Sequence, residues 1–275
     1  MKILINPRYE HLRPFVERLT RPIFFTRHGE TLHSGRNTVK LFETDGMRLV
    51  VKSYERLSLF NRFAYGLLRK SKAMRAYRHA GQLRRLGIDT PEEVAVVEIR
   101  KGGAMRHCYF VSLYTDYESI RPTTELFMQR EEAKRVLDGV AELLVRMHWA
   151  GVEHKDLNVG NILYRKEKDR YCFQVIDTNR MSFHKYMSMR RRLRNLRRLS
   201  CGTPAYLYIL KQYAGILQAD APTVQLEGAV RRLLFEKRQH TKGKVKSLLR
   251  RRPGTAESAS GVEEERSGVR NPVGL

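Results

Sequence analysis

Apolar and polar positions along this chain follow two different rhythms. Through roughly the first hundred residues the apolar runs are short and rich in β-branched and aromatic side chains. Turns containing Gly or Asp interrupt them, as they interrupt strands. Ile23 to His33 reads as one strand ending at Ser34-Gly35-Arg36-Asn37, and Thr38 to Glu43 as a second. Thr44-Asp45-Gly46 is a tight-turn signal, and Met47 to Tyr54 reads as a third strand with Lys52 near its end. Arg56 to Leu86 reads as helix with a break near Gly66. Pro91 to Arg100 and His107 to Tyr114 read as two more strands around Lys101-Gly102-Gly103.

The rhythm changes after Ile120-Arg121-Pro122. Val136, Val140, Leu143 and Met147 fall on one face at helical spacing, with Leu144 beside them. The spacing predicts a helix from about Thr124 to Ala150, stopped by Gly151. Asn161 to Tyr164 and Tyr171 to Ile176 then read as short strands around the polar run Arg165 to Arg170, and the chain beyond reads as helical and basic to about Arg252. Pro253 to Leu275 is rich in Gly, Ser and Glu with few large apolar residues, and reads as a disordered tail. The expected fold is α+β: a small β-rich lobe over 1–118, a mostly helical lobe over 119–252 and the tail over 253–275.

Charge adds an expectation about partners. Lys and Arg total 53 against 29 Asp and Glu, a formal charge of +24 over 275 residues. Such an excess favours an anionic partner: phosphates, nucleic acid or an anionic lipid surface. Met189, Leu193, Leu196 and Leu199 form an apolar stripe flanked by Arg190, Arg191, Arg192, Arg194, Arg197 and Arg198, and a second basic cluster runs from Lys237 to Arg252. An ordinary core-facing helix with a solvated cationic face would show the same stripe. So would a helix docking on anionic headgroups, where each basic side chain contributes about 1 kcal/mol. Nucleic acid is disfavoured, because no recognisable binding fold or stacking-aromatic motif accompanies the charge. No run of about 18 apolar residues is present, which excludes a membrane-spanning helix, and Met1 to Pro7 lacks the apolar core of a signal peptide. Cys108, Cys172 and Cys201 lack metal-ligand spacing and read as reduced, buried thiols of a cytoplasmic protein.

The chemistry concentrates in His154-Lys155-Asp156-Leu157-Asn158-Val159-Gly160-Asn161-Ile162-Leu163 and in Val175-Ile176-Asp177. An Asp and an Asn in one loop are commonly turn formers. Here the hairpin that follows brings Asn161 and Asp177 to the same end of neighbouring strands. Asp156 is then placed to accept a proton from a substrate hydroxyl, with Asn161 and Asp177 as metal ligands. This is the arrangement of a kinase catalytic loop and metal-binding Asp. The ligands are few, hard oxygens, which suits Mg²⁺ shared with phosphate oxygens and water.

With that order assembled, the chain resembles kinase-fold proteins, and more narrowly the bacterial lipopolysaccharide kinases that phosphorylate Kdo or heptose of the lipopolysaccharide core. The resemblance is carried by Ser34 to Asn37, Leu49-Val50-Val51-Lys52, Leu86 to Pro91, His154 to Leu163 and Ile176-Asp177-Thr178-Asn179-Arg180. It implies a protein-kinase-like fold with an ATP site between the lobes. Lys52 would contact the α- and β-phosphates, Gly35, Arg36 and Asn37 would form the phosphate loop, and His154 would brace the catalytic loop. It also implies a lipid-linked sugar substrate and a cytoplasmic enzyme docked on the inner face of the inner membrane through its basic helices. An atypical protein kinase and a nucleotide-binding pseudokinase are the alternatives.

The pattern departs from protein kinases in four places. Asn158 stands where a Lys usually follows the base, Thr178-Asn179 follows the metal Asp, and the glycine loop is reduced to Gly35 with Gly29 before it. No acidic residue occurs between Glu55 and Asp89, so the usual helix partner of Lys52 is missing, leaving Gln82 or Glu55 as substitutes.

Two further segments resemble other motifs. Thr26-Arg27-His28-Gly29-Glu30-Thr31 resembles the phosphohistidine motif of histidine phosphatases, with His28 as nucleophile, but is read as strand running into a turn. Cys201-Gly202-Thr203-Pro204 resembles a kinase substrate-docking segment and is read as a break between helices.

Overall fold

The computed structural model describes residues 1–54, 70–102 and 104–250. Met1–Leu233 forms one compact unit, and Leu234–Leu275 a second. The predicted tail 253–275 and the part of the predicted helix between Arg56 and Arg69 lie outside the described residues.

The first half is a six-stranded antiparallel sheet in the order β1-β5-β6-β4-β3-β2. Its strands are β1 (Lys2–Ile5), β2 (Glu30–Ser34), β3 (Thr38–Thr44), β4 (Met47–Ser53), β5 (Glu93–Lys101) and β6 (Ala104–Leu113). One short helix, α1 (Arg13–Arg18), follows a 3₁₀ turn after β1, and α2 (Pro22–Arg27) precedes β2. α3 (Lys72–Arg85) lies between β4 and β5 in the chain. Val51 and Leu49 of β4 are fully buried in the core of this lobe, beneath Phe15, Phe24, Phe25 and Phe42. Because strand side chains alternate, Val50 and Lys52 face the other way, into the cleft.

Three sequence expectations change here. Ile23 to His33 is not one strand: Pro22 starts helix α2, and the strand begins only at Glu30. A three-residue apolar run cannot distinguish helix from strand. The tertiary structure decides it, because the buried Lys40 ammonium donates to the carbonyls of Thr26 (3.0 Å) and His28 (2.9 Å) at the end of that helix. Gly29, at φ +79°, then turns the chain into β2. The second change is β1, which pairs antiparallel with β5, Ile5 opposite Ala95. Four residues at the sheet edge carry too little pattern to be seen. Third, the helix expected from Thr124 to Ala150 is two helices, α4 (Arg121–Leu126) and α5 (Glu131–Trp149).

The second half packs around α5, whose Val136, Val140, Leu143, Leu144 and Met147 are buried. β7 (Glu118–Ser119), β9 (Ile162–Glu167) and β10 (Arg170–Val175) form a small sheet in the order β10-β9-β7. β8 (Val152–His154) and β11 (Met181–Phe183) pair as a second. The sequence reading placed only helix after the hairpin and so missed β11. Three further helices lie among the described residues: α6 (Met189–Leu196), α7 (Thr203–Ile216) and α8 (Ala221–Arg250). The result is a β-rich lobe joined to a mostly helical one, with a kinase-like cleft where they meet.

Candidate active site

The cleft runs between the underside of β3, β4 and β6 and the start of the β9–β10 hairpin. Leu32, Val39 and Val50 roof it, Leu163 and Ile176 floor it, and the strand exit at Leu113-Tyr114-Thr115 closes the back. It encloses about 240 Å³. An apolar slot of this kind, with a charged pair at one end, suits a nucleotide base with its phosphates toward the charges.

The charged pair is Lys52 and Asp177, with Nζ 2.7 Å from Oδ1. Both are mostly buried, at 19% and 22% side-chain exposure. Burial alone would push the Asp177 carboxyl up, but the Lys52 charge and hydrogen bond outweigh it and hold the pKa below the ordinary Asp value. Asp177 sits in the left-handed region at φ +57° and begins the turn Thr178–Arg180. Asn179 donates its Nδ2 to the same Oδ1. Oδ2 of Asp177 has no partner among the described residues.

Asn161 lies beside it because the Ile176 N–H donates to the Asn161 carbonyl, 3.0 Å. The Asn161 side chain gives Nδ2 to the Asp156 carbonyl, 2.9 Å, so the amide is oriented with Oδ1 unpartnered among the described residues. Oδ1 of Asn161 and Oδ2 of Asp177 are hard oxygen donors at one end of the hairpin, and they fit a Mg²⁺ ion that takes its other ligands from phosphate and water. Asp156 presents its carboxylate half-exposed, with Oδ2 3.1 Å from Arg180 Nη1.

The loop is held from below by a chain of buried polar groups. The Asp156 N–H donates to His154 Nδ1 at 3.1 Å, so the ring carries its proton on Nε2 and donates it to the Ile176 carbonyl at 2.9 Å. Asn195 of α6 donates Nδ2 to the His154 carbonyl at 2.8 Å, and its Oδ1 faces His148 Nε2 at 3.2 Å. Tyr213 of α7 completes the chain at His148 Nδ1, 2.8 Å. Every member is satisfied only while both histidines are neutral, and burial pushes both pKa values down, His148 to about 4. Sequence reasoning assigned bracing to His154 and missed Asn195, His148 and Tyr213. The available signal was a polar Asn between Leu193 and Leu196 of an apolar stripe.

Helix α3 lacks the expected acid, and the structure supplies another attachment. His79 contacts the Thr178 carbonyl through Nδ1 at 2.7 Å, and Thr178 donates Oγ1 to the Ala76 carbonyl at 3.0 Å. The helix therefore grips the turn after Asp177 directly, instead of reaching it through Lys52. Gln82 lines a separate surface hollow with Arg78 and Arg85, away from Lys52, and Glu55 lies outside the described residues.

Lys52, Asp156, Asn161 and Asp177 are thus brought together. Gly35, Arg36 and Asn37 form the bend joining β2 and β3 and are absent from the cleft lining. Arg27 and His28 sit at the carbonyl end of α2, with His28 stacked on Phe24. That end of a helix repels phosphate. Gly202 is the N-cap of α7, with Pro204 in its first turn.

A cleft of this composition in a two-lobed α+β fold defines a kinase-like phosphotransferase. The chain belongs to the lipopolysaccharide kinase (Kdo/WaaP) family, whose model matches residues 29–208. It is 22% identical over 198 residues to the 3-deoxy-D-manno-octulosonic acid kinase of Vibrio parahaemolyticus serotype O3:K6 (strain RIMD 2210633), covering 66% of this chain and 81% of the relative. Among solved structures, WaaP in complex with acyl carrier protein superposes with a TM-score of 0.58 at 18% identity, covering 88% of this chain and 99% of that one. The protein is a kinase of the lipopolysaccharide core.

Proposed function

We propose that this kinase transfers the γ-phosphoryl of ATP to a hydroxyl of Kdo or heptose, and of the two the Vibrio relative favours Kdo. The observation that carries the reading is the meeting of Lys52 and Asp177, 2.7 Å apart, with the Asp156–Asn161 loop beneath them. Asp156 takes the proton of the acceptor hydroxyl. Lys52 would turn from Asp177 to the α- and β-phosphates, and Asp177 and Asn161 would hold Mg²⁺. Mg²⁺ held there would neutralise charge on the phosphates. Gly35, Arg36 and Asn37 cover the phosphates from the bend between β2 and β3. The pseudokinase alternative was motivated by the missing helix acid, which α3 lacks; the presence of the base together with both metal-ligand candidates favours turnover.

A lipid-borne acceptor requires the enzyme to work at a membrane surface. Arg190 and Arg194 of α6 are exposed, and so are Tyr186, just before that helix, and Trp149, at the end of α5, at 73% and 61%. Cations beside exposed Trp and Tyr suit an anionic headgroup layer. We place the enzyme on the inner face of the inner membrane on that ground; no helix among the described residues is long and apolar enough to cross it.

Labelled ATP with Kdo-lipid A and with a heptosylated core acceptor tests the assignment. Transfer to Kdo-lipid A that disappears in Asp156→Asn is expected. Equal transfer by the variant would remove Asp156 from the mechanism, and labelling of the heptosylated acceptor alone would reassign the sugar.

A further inference from the structure

Arg180 is a cation in direct contact with the base that the scheme above leaves unused. Its Nη1 lies 3.1 Å from Asp156 Oδ2, and its charge contributes to the lowered pKa of Asp177, three residues earlier in the chain. It therefore stands within electrostatic reach of both the base and the metal aspartate. Its remaining N–H groups have no protein partner among the described residues. The side chain is half-exposed, at 48%, so it is not a buried structural ion pair.

The backbone beneath it is fixed from two sides. The Lys155 N–H donates to the Arg180 carbonyl at 2.9 Å, and Met181 pairs with His154 in the β8–β11 ladder. Thr178, at the start of the same turn, is held to α3. Catalytic loop and arginine are thus tied together through backbone hydrogen bonds. Asn158, which occupies the position of the usual loop lysine, spends its side chain on the loop: Oδ1 accepts from Gly160 N at 2.9 Å and Nδ2 donates to the Asp156 carbonyl at 3.2 Å. The loop therefore offers no cation of its own at that position.

We propose that Arg180 is a catalytic residue that holds the transferring phosphoryl group. The inference rests on the phosphotransfer reading given above. In the step, the acceptor oxygen bonds to the γ-phosphorus as the bond from that phosphorus to the β–γ bridging oxygen breaks. The electron pair of the broken bond leaves with ADP, and the acceptor proton goes to Asp156. Arg180 stays protonated throughout and donates N–H bonds to the equatorial oxygens, where charge must be stabilised during transfer.

The test compares the full-length protein with Arg180→Ala and Arg180→Lys. Affinities for Mg-ADP and for Mg-ADP with aluminium fluoride, a mimic of the phosphoryl in flight, are measured by calorimetry. Turnover is followed with and without added guanidinium. Expected for Arg180→Ala are ADP affinity within about twofold of wild type, mimic affinity weaker by at least about 30-fold and kcat lower by about 1,000-fold. Arg180→Lys should fall between, and free guanidinium should restore part of the alanine variant's turnover. Unchanged mimic affinity in Arg180→Ala would overturn the proposal. Equal weakening of ADP and mimic would make the role structural and overturn it too, as would a rise in acceptor KM with kcat unchanged, which would make Arg180 an acceptor clamp. If the wild-type protein itself binds neither nucleotide form, the phosphotransfer reading fails, whatever Arg180 does.

Discussion

His148 is a fully buried base whose protonation should be felt by the whole catalytic lobe. Its pKa is held near 4, chiefly by desolvation and secondarily by the Arg192 charge, against an ordinary value of 6.5. A depressed histidine means that the unfolded chain binds the extra proton first. Stability is then fully present above about pH 6.5 and is lost as pH falls toward 4. Between pH 7 and pH 5 the linkage amounts to about 2 kcal/mol, and it approaches about 3 kcal/mol once the folded-state group titrates. His154 and His79 are shifted in the same direction and add to the slope. The assay is urea unfolding across that range for wild type and His148→Gln, an uncharged side chain able to donate to Asn195 and accept from Tyr213. The variant should lose about 2 kcal/mol less than wild type between pH 7 and pH 5, whatever its stability at pH 7. Parallel slopes for the two proteins would refute a neutral buried His148 and, with it, the directed chain of hydrogen bonds under the catalytic loop.

Other substitutions probe different joints of the site. Gly151→Ala should cost about 3 kcal/mol or more, read as a fall in urea midpoint, because the residue sits at φ +73° and its new Cβ would fall 1.8 Å from the His184 carbonyl oxygen. Lys52→Met should lower kcat/KM for ATP by at least about 100-fold in a coupled ADP-release assay, since the phosphates lose their ammonium partner. Thr178→Val should cost about 1 kcal/mol in thermal unfolding by removing the hydroxyl's hydrogen bond to the Ala76 carbonyl. Its retention of wild-type stability would show that α3 is not fastened at the turn. The Lys52 charge holds the Asp177 carboxyl below the ordinary Asp value, so nucleotide binding by calorimetry should be flat from pH 8 to pH 5 on its account and weaken only in stronger acid.

Local chemistry made much of this protein readable in advance. The alternation Leu49-Val50-Val51-Lys52 sets one face of a strand in the core and its lysine in a cleft, whatever surrounds it. The helical period through Val136, Val140 and Met147, stopped by Gly151, marks the backbone helix of the second lobe. The order of Asp156, Asn161 and Asp177 around a polar hairpin points to phosphoryl transfer, because a base and two hard oxygen ligands at that spacing suit a metal-bound phosphate. Where the pattern was short or the cause lay far along the chain, it was silent. Ile23 to Arg27 reads as strand until Lys40, thirteen residues past the helix end, reaches back to its carbonyls. β1 is visible only once β5 offers its edge. The partner of Lys52 lies 125 residues away, and the buried chain from Tyr213 through His148 and Asn195 joins three helices to one loop. Sequence thus determined which residue types and local periods the chain possesses. Tertiary structure decided which of them meet, because a hydrogen bond or ion pair depends on distances of about 3 Å that only the assembled fold sets.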